Sequence, residues 1–152
     1  MIDSISLEIL AILQEKARIP NVEVSRQVGL APSAVLERIR KMEKQGIIHG
    51  YEVRLNPELF DRAHIAFIRI ITASTATKDV GSALSKISEV QEVHYIAGED
   101  SYLIKVRTSN TKMLGQLLCD RIQLIPGVVS TKTSTVLSTV KETSRIPIQQ
   151  LP

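Results

Sequence analysis

Residues 32–44 read PSAVLERIRKMEK. At 3.6 residues per turn, Val35, Ile39 and Met42 share one side, while Ser33, Glu37, Arg40 and Lys44 share the other. Pro32 suits the first position of a helix and Gly46 its stop. An apolar seam backed by a basic stripe is a candidate DNA-reading element. By itself it is also what a solvated helix face looks like, so the neighbours decide.

Upstream, Asp3 and Ser4 offer N-cap oxygens, and Ile5, Ile9, Ile12 and Leu13 recur at helical spacing, predicting a first helix to about Lys16. Ile19-Pro20 breaks it. Asn21 is expected to cap a short second helix, VEVSRQV, which Gly29 ends. The turn Gly29-Leu30-Ala31 has the length and glycine content of a helix-turn-helix. One local rule is broken: Ala31 stands where an N-cap hydroxyl belongs, a replacement that typically costs about 1 kcal/mol. Ser33, one residue inside the helix, is expected to bond a free amide or to leave it for a phosphate.

Downstream, Tyr51, Val53 and Leu55 alternate with Glu52 and Arg54, the period of a half-buried strand, and Asn56-Pro57 marks a turn. From His64 the pattern changes. HIAFIRIITAS is a β-branched, apolar strand; Asp79 to Ser88 has helical spacing; EVHYIA and SYLIKVR are strands around Gly98-Glu99-Asp100. Lys112 to Leu124 is a second helix burying Leu114, Leu117, Leu118 and Ile122, and VVSTKTSTVLSTVKE is strand material after Pro126-Gly127. The order β-α-β-β-α-β is the split βαβ of a ferredoxin-like fold, with helices on one face of an antiparallel sheet. The chain is therefore α+β: a winged-helix-like helix-turn-helix domain at 1–50, a connector strand or linker at 51–62 and a ferredoxin-like domain at 63–152. Thr72, Ile96, Leu103 and Val136 exceed what two helices can cover, which predicts association of the sheet with another subunit. The tail from Ile146 to Pro152 is expected to lie extended.

Composition agrees with a globular, mildly basic protein: 152 residues, 43% apolar and 23% charged, net charge +3 and pI about 9.1. The local excess of charge falls on Arg38, Arg40, Lys41 and Lys44 against Glu43. Cys119 is the single cysteine, which excludes an internal disulfide and a cysteine zinc site; between Leu118 and Ile122 it reads as a small buried hydrophobe. No apolar run approaches membrane-spanning length and no basic-then-apolar leader opens the chain, so the cytoplasm is the expected location.

Catalytic signals are absent. His49, His64 and His94 have no metal-ligand spacing, Glu99 and Asp100 are adjacent and would diverge, and no glycine-rich phosphate loop follows a strand. The chain is not expected to be an enzyme or to carry a cofactor. Gly98-Glu99-Asp100-Ser101-Tyr102 joins turn-favouring backbone to carboxylates and a hydroxyl, a set able to hold an amino acid's ammonium and carboxylate. The hydroxyl-rich stretch from Ser130 to Thr135 offers further donors. With five aromatics and none interleaved with the basic stripe, duplex DNA suits this chain better than single strands.

Together, ARIPNVEVSRQVGLAPSAVLERIRKMEKQGIIHGYEVRLNP (17–57), AGEDSYLIKV (97–106) and IPGVVSTKTSTVLSTVKE (125–142) resemble the Lrp/AsnC, or feast/famine, family of transcriptional regulators over nearly the whole chain. Ala31 departs from the usual Ser before Pro32, Ser25 from a frequent Ala, and Asp100-Ser101 from an aromatic followed by Asp. The resemblance implies a homodimer built through the C-terminal sheets and assembling to a tetramer or octamer. It also implies an amino-acid effector bound between dimers near Gly98, Glu99, Asp100, Ser101, Tyr102, Thr131, Thr133 and Ser134, and control of amino-acid metabolism genes. On the DNA side, Ser33, Glu37 and Arg40 are expected nearest the base edges and Arg38, Lys41 and Lys44 nearest phosphates. Rival readings are a ligand-independent architectural DNA-organising protein and an enzyme like the related tetrapyrrole decarboxylases.

Overall fold

The computed structural model describes residues 2–73, 77–98 and 101–148. They form two compact units, one of residues 2–54 with 142–148 and the other of residues 55–141.

In the first unit, α1 (Ser4–Glu15), α2 (Asn21–Val28) and α3 (Pro32–Lys44) close around Ile9, Val24, Val35, Ile39 and Met42. The seam of α3 is thus buried, as its period requires. Asp3 is the cap of α1, its Oδ1 accepting from the Ser6 amide at 2.8 Å. The cap of α2 differs from expectation. Asn21 is the first helical residue rather than the cap, and Pro20 precedes it, its carbonyl accepting from the Glu23 and Val24 amides at 2.9 and 3.2 Å. Once that carbonyl starts the helix, α2 has no side-chain cap. Neither has α3, which starts from Ala31. Gly29 at φ +70° and Gly46 at φ +69° end α2 and α3 in the left-handed region that glycine adopts without penalty. After Gly46, the Ile47 amide reaches back to the Met42 carbonyl at 2.9 Å, turning the chain sharply off the helix.

The expected strand at 51–55 is not formed. Residues 51–56 have no strand pairing, and Val53 and Leu55 are 84% and 63% exposed. Alternation supplies a strand's face but not its neighbour, and none of the described strands pairs with this segment. A 3-10 turn, Pro57–Phe60, follows, capped by Asn56, and Asp61 leaves it at φ +53°.

The second unit contains β1 (His64–Thr72), α4 (Thr77–Ser85), β2 (Val90–Ile96), β3 (Ser101–Thr108), α5 (Thr111–Leu117) and β4 (Val128–Thr135). The sheet is antiparallel throughout in the order β2-β3-β1-β4, the ferredoxin-like arrangement. Ala66, Ile68 and Ile70 of β1 and Tyr102, Ile104 and Val106 of β3 point to the helices, where Val80, Leu84, Leu114, Leu117 and Ile122 meet them. The second helix is shorter than its apolar pattern: α5 stops at Leu117 and a π-helical turn, Leu118–Ile122, carries Ile122 back to the core. Cys119 is exposed, not buried. At about 100° per residue it lies well off the stripe defined by Leu114 and Leu117, so apolar flanking residues were a misleading guide. Thr72 is buried within the chain, whereas Ile96, Leu103 and Val136 are half-buried and Phe67, on the face away from the helices, is exposed. The tail also departs from the expected partition, for residues 142–148 belong with α1 rather than with the sheet.

Candidate nucleic-acid interface and ligand region

Burial of Val35, Ile39 and Met42 turns the opposite side of α3 outward, and Ser33, Glu37, Arg40, Lys41 and Lys44 are all exposed. None of them has an ion-pair partner among the described residues, so Arg40, Lys41 and Lys44 stand as free cations. Ser33 makes no hydrogen bond among the described residues. The first amides of α3 are therefore left without a side-chain acceptor.

Arg38 behaves differently from its neighbours. It lies three residues after Val35, on the flank of the buried seam, and its guanidinium donates to Asp3 Oδ2 at 2.6 Å and Ser6 Oγ at 3.1 Å. The Arg38 hydrogen bond, joined by the Ser6 amide, lowers the Asp3 carboxyl from 3.8 to about 2. A side chain expected at a phosphate is thus engaged in holding α3 to the start of α1. The i, i+3 spacing from Val35 puts Arg38 at the edge of the seam, but no local pattern announces a partner 35 positions away. At the other end of α3, the Tyr51 hydroxyl donates to Glu43 Oε1 at 2.9 Å. Burial, with Glu43 adding, pushes that hydroxyl up to about 12, so it remains a donor.

In the second unit the expected ligand residues are only partly brought together. Glu99 and Asp100 lie outside the described residues. Gly98 is exposed at φ +105°. Ser101 is fully buried and its Oγ has no hydrogen-bond partner. Tyr102 is a core residue: its ring packs against Tyr95 with centroids 5.3 Å apart, and its Cζ would stand 2.7 Å from a Cβ placed on Gly81 of α4. Only glycine at 81 allows that approach. Tyr102 and Thr131 flank Ile70 in one row of the sheet, about two strand spacings, or roughly 10 Å, apart. Thr131 accepts from Gln123 Nε2 at 3.3 Å. Thr133 and Ser134 lie further along β4 in register with Ile68 and Phe67, Ser134 on the opposite face, so they do not converge with Tyr102.

A cavity of about 150 Å³ opens at the other end of the β2–β3 pair, lined by Arg62, Glu89, Thr108, Met113, Asp120 and Arg121. Arg121 and Glu89 pair at 2.9 Å within its lining. Burial would raise the Glu89 carboxyl, but hydrogen bonds from its own amide, Ser88 and Arg121 outweigh it and hold the group below its ordinary value. Among the described residues no cluster of His, Cys, Asp and Glu has the makings of a metal site, and no helix is long and apolar enough to cross a membrane.

A three-helix head with an outward basic helix, joined to a ferredoxin-like module, defines a two-part, DNA-binding regulator. Residues 2–49 match the family model for a winged helix-turn-helix DNA-binding domain, and residues 65–146 match that for the Lrp/AsnC ligand binding domain. The chain belongs to the Lrp/AsnC family of transcriptional regulators. The leucine-responsive regulatory protein of Klebsiella pneumoniae is 39% identical, with 97% of this chain and 92% of that protein covered. A Neisseria meningitidis transcriptional regulator solved with L-Met superposes with a TM-score of 0.91 at 32% identity, covering 97% of each chain. Escherichia coli AsnC superposes at 0.89 and 30% identity, covering 97% of this chain and 99% of its own.

Proposed function

We propose that the chain reads duplex DNA as a symmetric dimer, with α3 in the major groove and an amino acid as its effector. The observation that carries this is the division of α3: three apolar side chains seated in a closed core and a polar face, without ion pairs among the described residues, directed outward. Arg40 can donate two bonds to guanine, with Ser33 and Glu37 beside it at the base edges. Lys41 and Lys44 supply phosphate contacts, and the uncapped start of α3 adds amides of the kind that hold a phosphate oxygen. Arg38 has a different role from theirs, fixing the angle of α3 through Asp3 and Ser6.

Dimerisation is supported by the sheet face carrying exposed Phe67 and half-buried Leu103, with apolar Val53 and Leu55 also left uncovered. Further assembly to tetramers or octamers follows the family pattern. Two copies of α3 would address half-sites about 34–36 Å apart, one turn of the duplex, so the operator is near-palindromic. For the effector, the unsatisfied Ser101 hydroxyl supports a polar ligand at the β2–β3 connection, the stretch of sequence that also holds Gly98, Glu99 and Asp100. The Neisseria regulator and a Mycobacterium tuberculosis feast or famine regulatory protein have each been solved with L-methionine, which makes methionine the first amino acid to test. Selection of bound sequences from random duplex DNA, with and without amino acids, tests the reading. Near-palindromic sites with half-sites one turn apart support it, and recovery of unrelated sequences contradicts it.

A further inference from the structure

The last described residues, 142–148, are bound to α1 by a connected set of polar contacts. The Gln14 side-chain amide pairs both ways with the backbone of Ile146: its Nε2 donates to the carbonyl at 3.0 Å and its Oε1 accepts from the amide at 2.9 Å. Arg145 Nη1 donates to Glu15 Oε1 at 2.6 Å, and its Nη2 reaches the Glu15 carbonyl at 3.5 Å. The last turn of α1 has no basic residue of its own. Arg145 therefore brings a cation to the negative end of the helix and a donor to a carbonyl that the helix cannot satisfy internally. Arg54 Nη2 donates to the Glu142 carbonyl at 3.1 Å. That bond joins the last residue of the N-terminal stretch of this unit to the first residue of its tail.

The matched ligand-binding segment runs to residue 146, yet residues 142–146 are attached to the helix-turn-helix unit. That unit consequently leaves the rest of the chain by two covalent crossings, Arg54–Leu55 and Lys141–Glu142, side by side at the Arg54–Glu142 bond. A body on a single strand swivels about it. A second crossing beside the first limits that swivel, and does so only while the tail stays attached.

We infer that Gln14 and Arg145 are positioning residues: by fastening the tail to α1 they restrict the swivel of the DNA-binding unit and make a dimer selective for half-site spacing. This rests on the dimeric DNA reader proposed above. Neither side chain belongs to the DNA-facing set of α3, so their loss acts on orientation and not on base contacts.

The test compares three duplexes in a binding titration of the full chain: a single half-site, the selected operator, and that operator with 5 base pairs, about half a turn, inserted between half-sites. Engagement of a second site multiplies affinity by about 10²–10⁴ and the gain disappears when geometry forbids it. The parent is expected to lose at least about tenfold on insertion. The double variant Gln14→Ala/Arg145→Ala keeps the parent's half-site affinity while its insertion penalty falls to about threefold or less. Reversing the ion pair, Glu15→Arg with Arg145→Glu, restores more of the penalty than Arg145→Glu alone. An unchanged penalty in the double variant overturns the inference, as does a parent indifferent to the insertion. Equal weakening on all three duplexes also overturns it, since the tail would then only support the fold. Failure of the parent to bind the half-site at all is a separate result, which removes the DNA reader itself.

Discussion

The Arg38 guanidinium lies 2.6 Å from the Asp3 carboxylate, joining the recognition helix to the cap of the first helix. Asp3 thus serves two partners at once, the Ser6 amide through Oδ1 and Arg38 through Oδ2. The pair is exposed enough that its effect depends on geometry more than on charge alone, for it orders two helices that otherwise meet through apolar side chains.

Asp3→Asn keeps an N-capping oxygen but removes the charge, so it isolates the interaction with Arg38. The folded-state carboxyl is lowered from 3.8 to about 2, so folding favours its ionised form. The stabilisation is fully present above about pH 4 and is lost as pH falls towards 2. Chemical denaturation across that window should show the parent more stable than Asp3→Asn at neutral pH, with the difference shrinking as pH falls through about 2 and disappearing only below it. A constant difference would mean that Arg38 does not sense the charge.

Ala31 has the extended backbone of an N-cap, φ −69° and ψ 146°, with no oxygen to use. Ala31→Ser should stabilise the first unit by about 0.5–2 kcal/mol. Thermal unfolding of the full chain, read by helical signal, checks it.

Gly81→Ala drives a methyl group into the Tyr102 ring. Overpacking of this kind costs about 1–3 kcal/mol, and the loss should fall on the sheet unit while α1, α2 and α3 keep their hydrogen-exchange protection. The double variant Gly81→Ala/Tyr102→Leu, which removes the obstructing ring tip, should lose less than the sum of the single changes.

Ser101→Ala removes a buried hydroxyl that has no partner. Without effector, the variant should be as stable as the parent or slightly more so, because an unsatisfied buried group carries a desolvation cost of about 1–3 kcal/mol. Calorimetric titration with L-methionine should show weakened binding in the variant. Equal heats and affinity in both proteins would separate Ser101 from the ligand.

Local rules made much of this chain legible. The seam of α3, the breaks at Pro20 and Gly29, and the β-α-β-β-α-β order each depend on short-range pattern, and each is present in the structure. What needed a distant partner was not legible in the same way. The alternation at Tyr51, Val53 and Leu55 looked like a strand although it pairs with no strand among the described residues. Arg38 read as a surface cation because Asp3 is 35 positions away. Residues 142–148 read as an end to the second domain because nothing local announces that Arg145 meets Glu15. On the ligand side, Tyr102 carried a polar hydroxyl in the sequence but a core ring in the fold, and only Gly81 across the helix reveals why.

The most direct measurement is the affinity of Arg40→Ala and Lys44→Ala for the selected operator and for single-base variants of it, at several salt concentrations. Arg40→Ala should lose about 1–3 kcal/mol on the operator and relax preference at one base position. Lys44→Ala should weaken binding to all sequences alike and reduce the salt dependence by about one phosphate contact. Both variants binding like the parent, with unchanged base preference and salt slope, would contradict α3 as the reader of DNA.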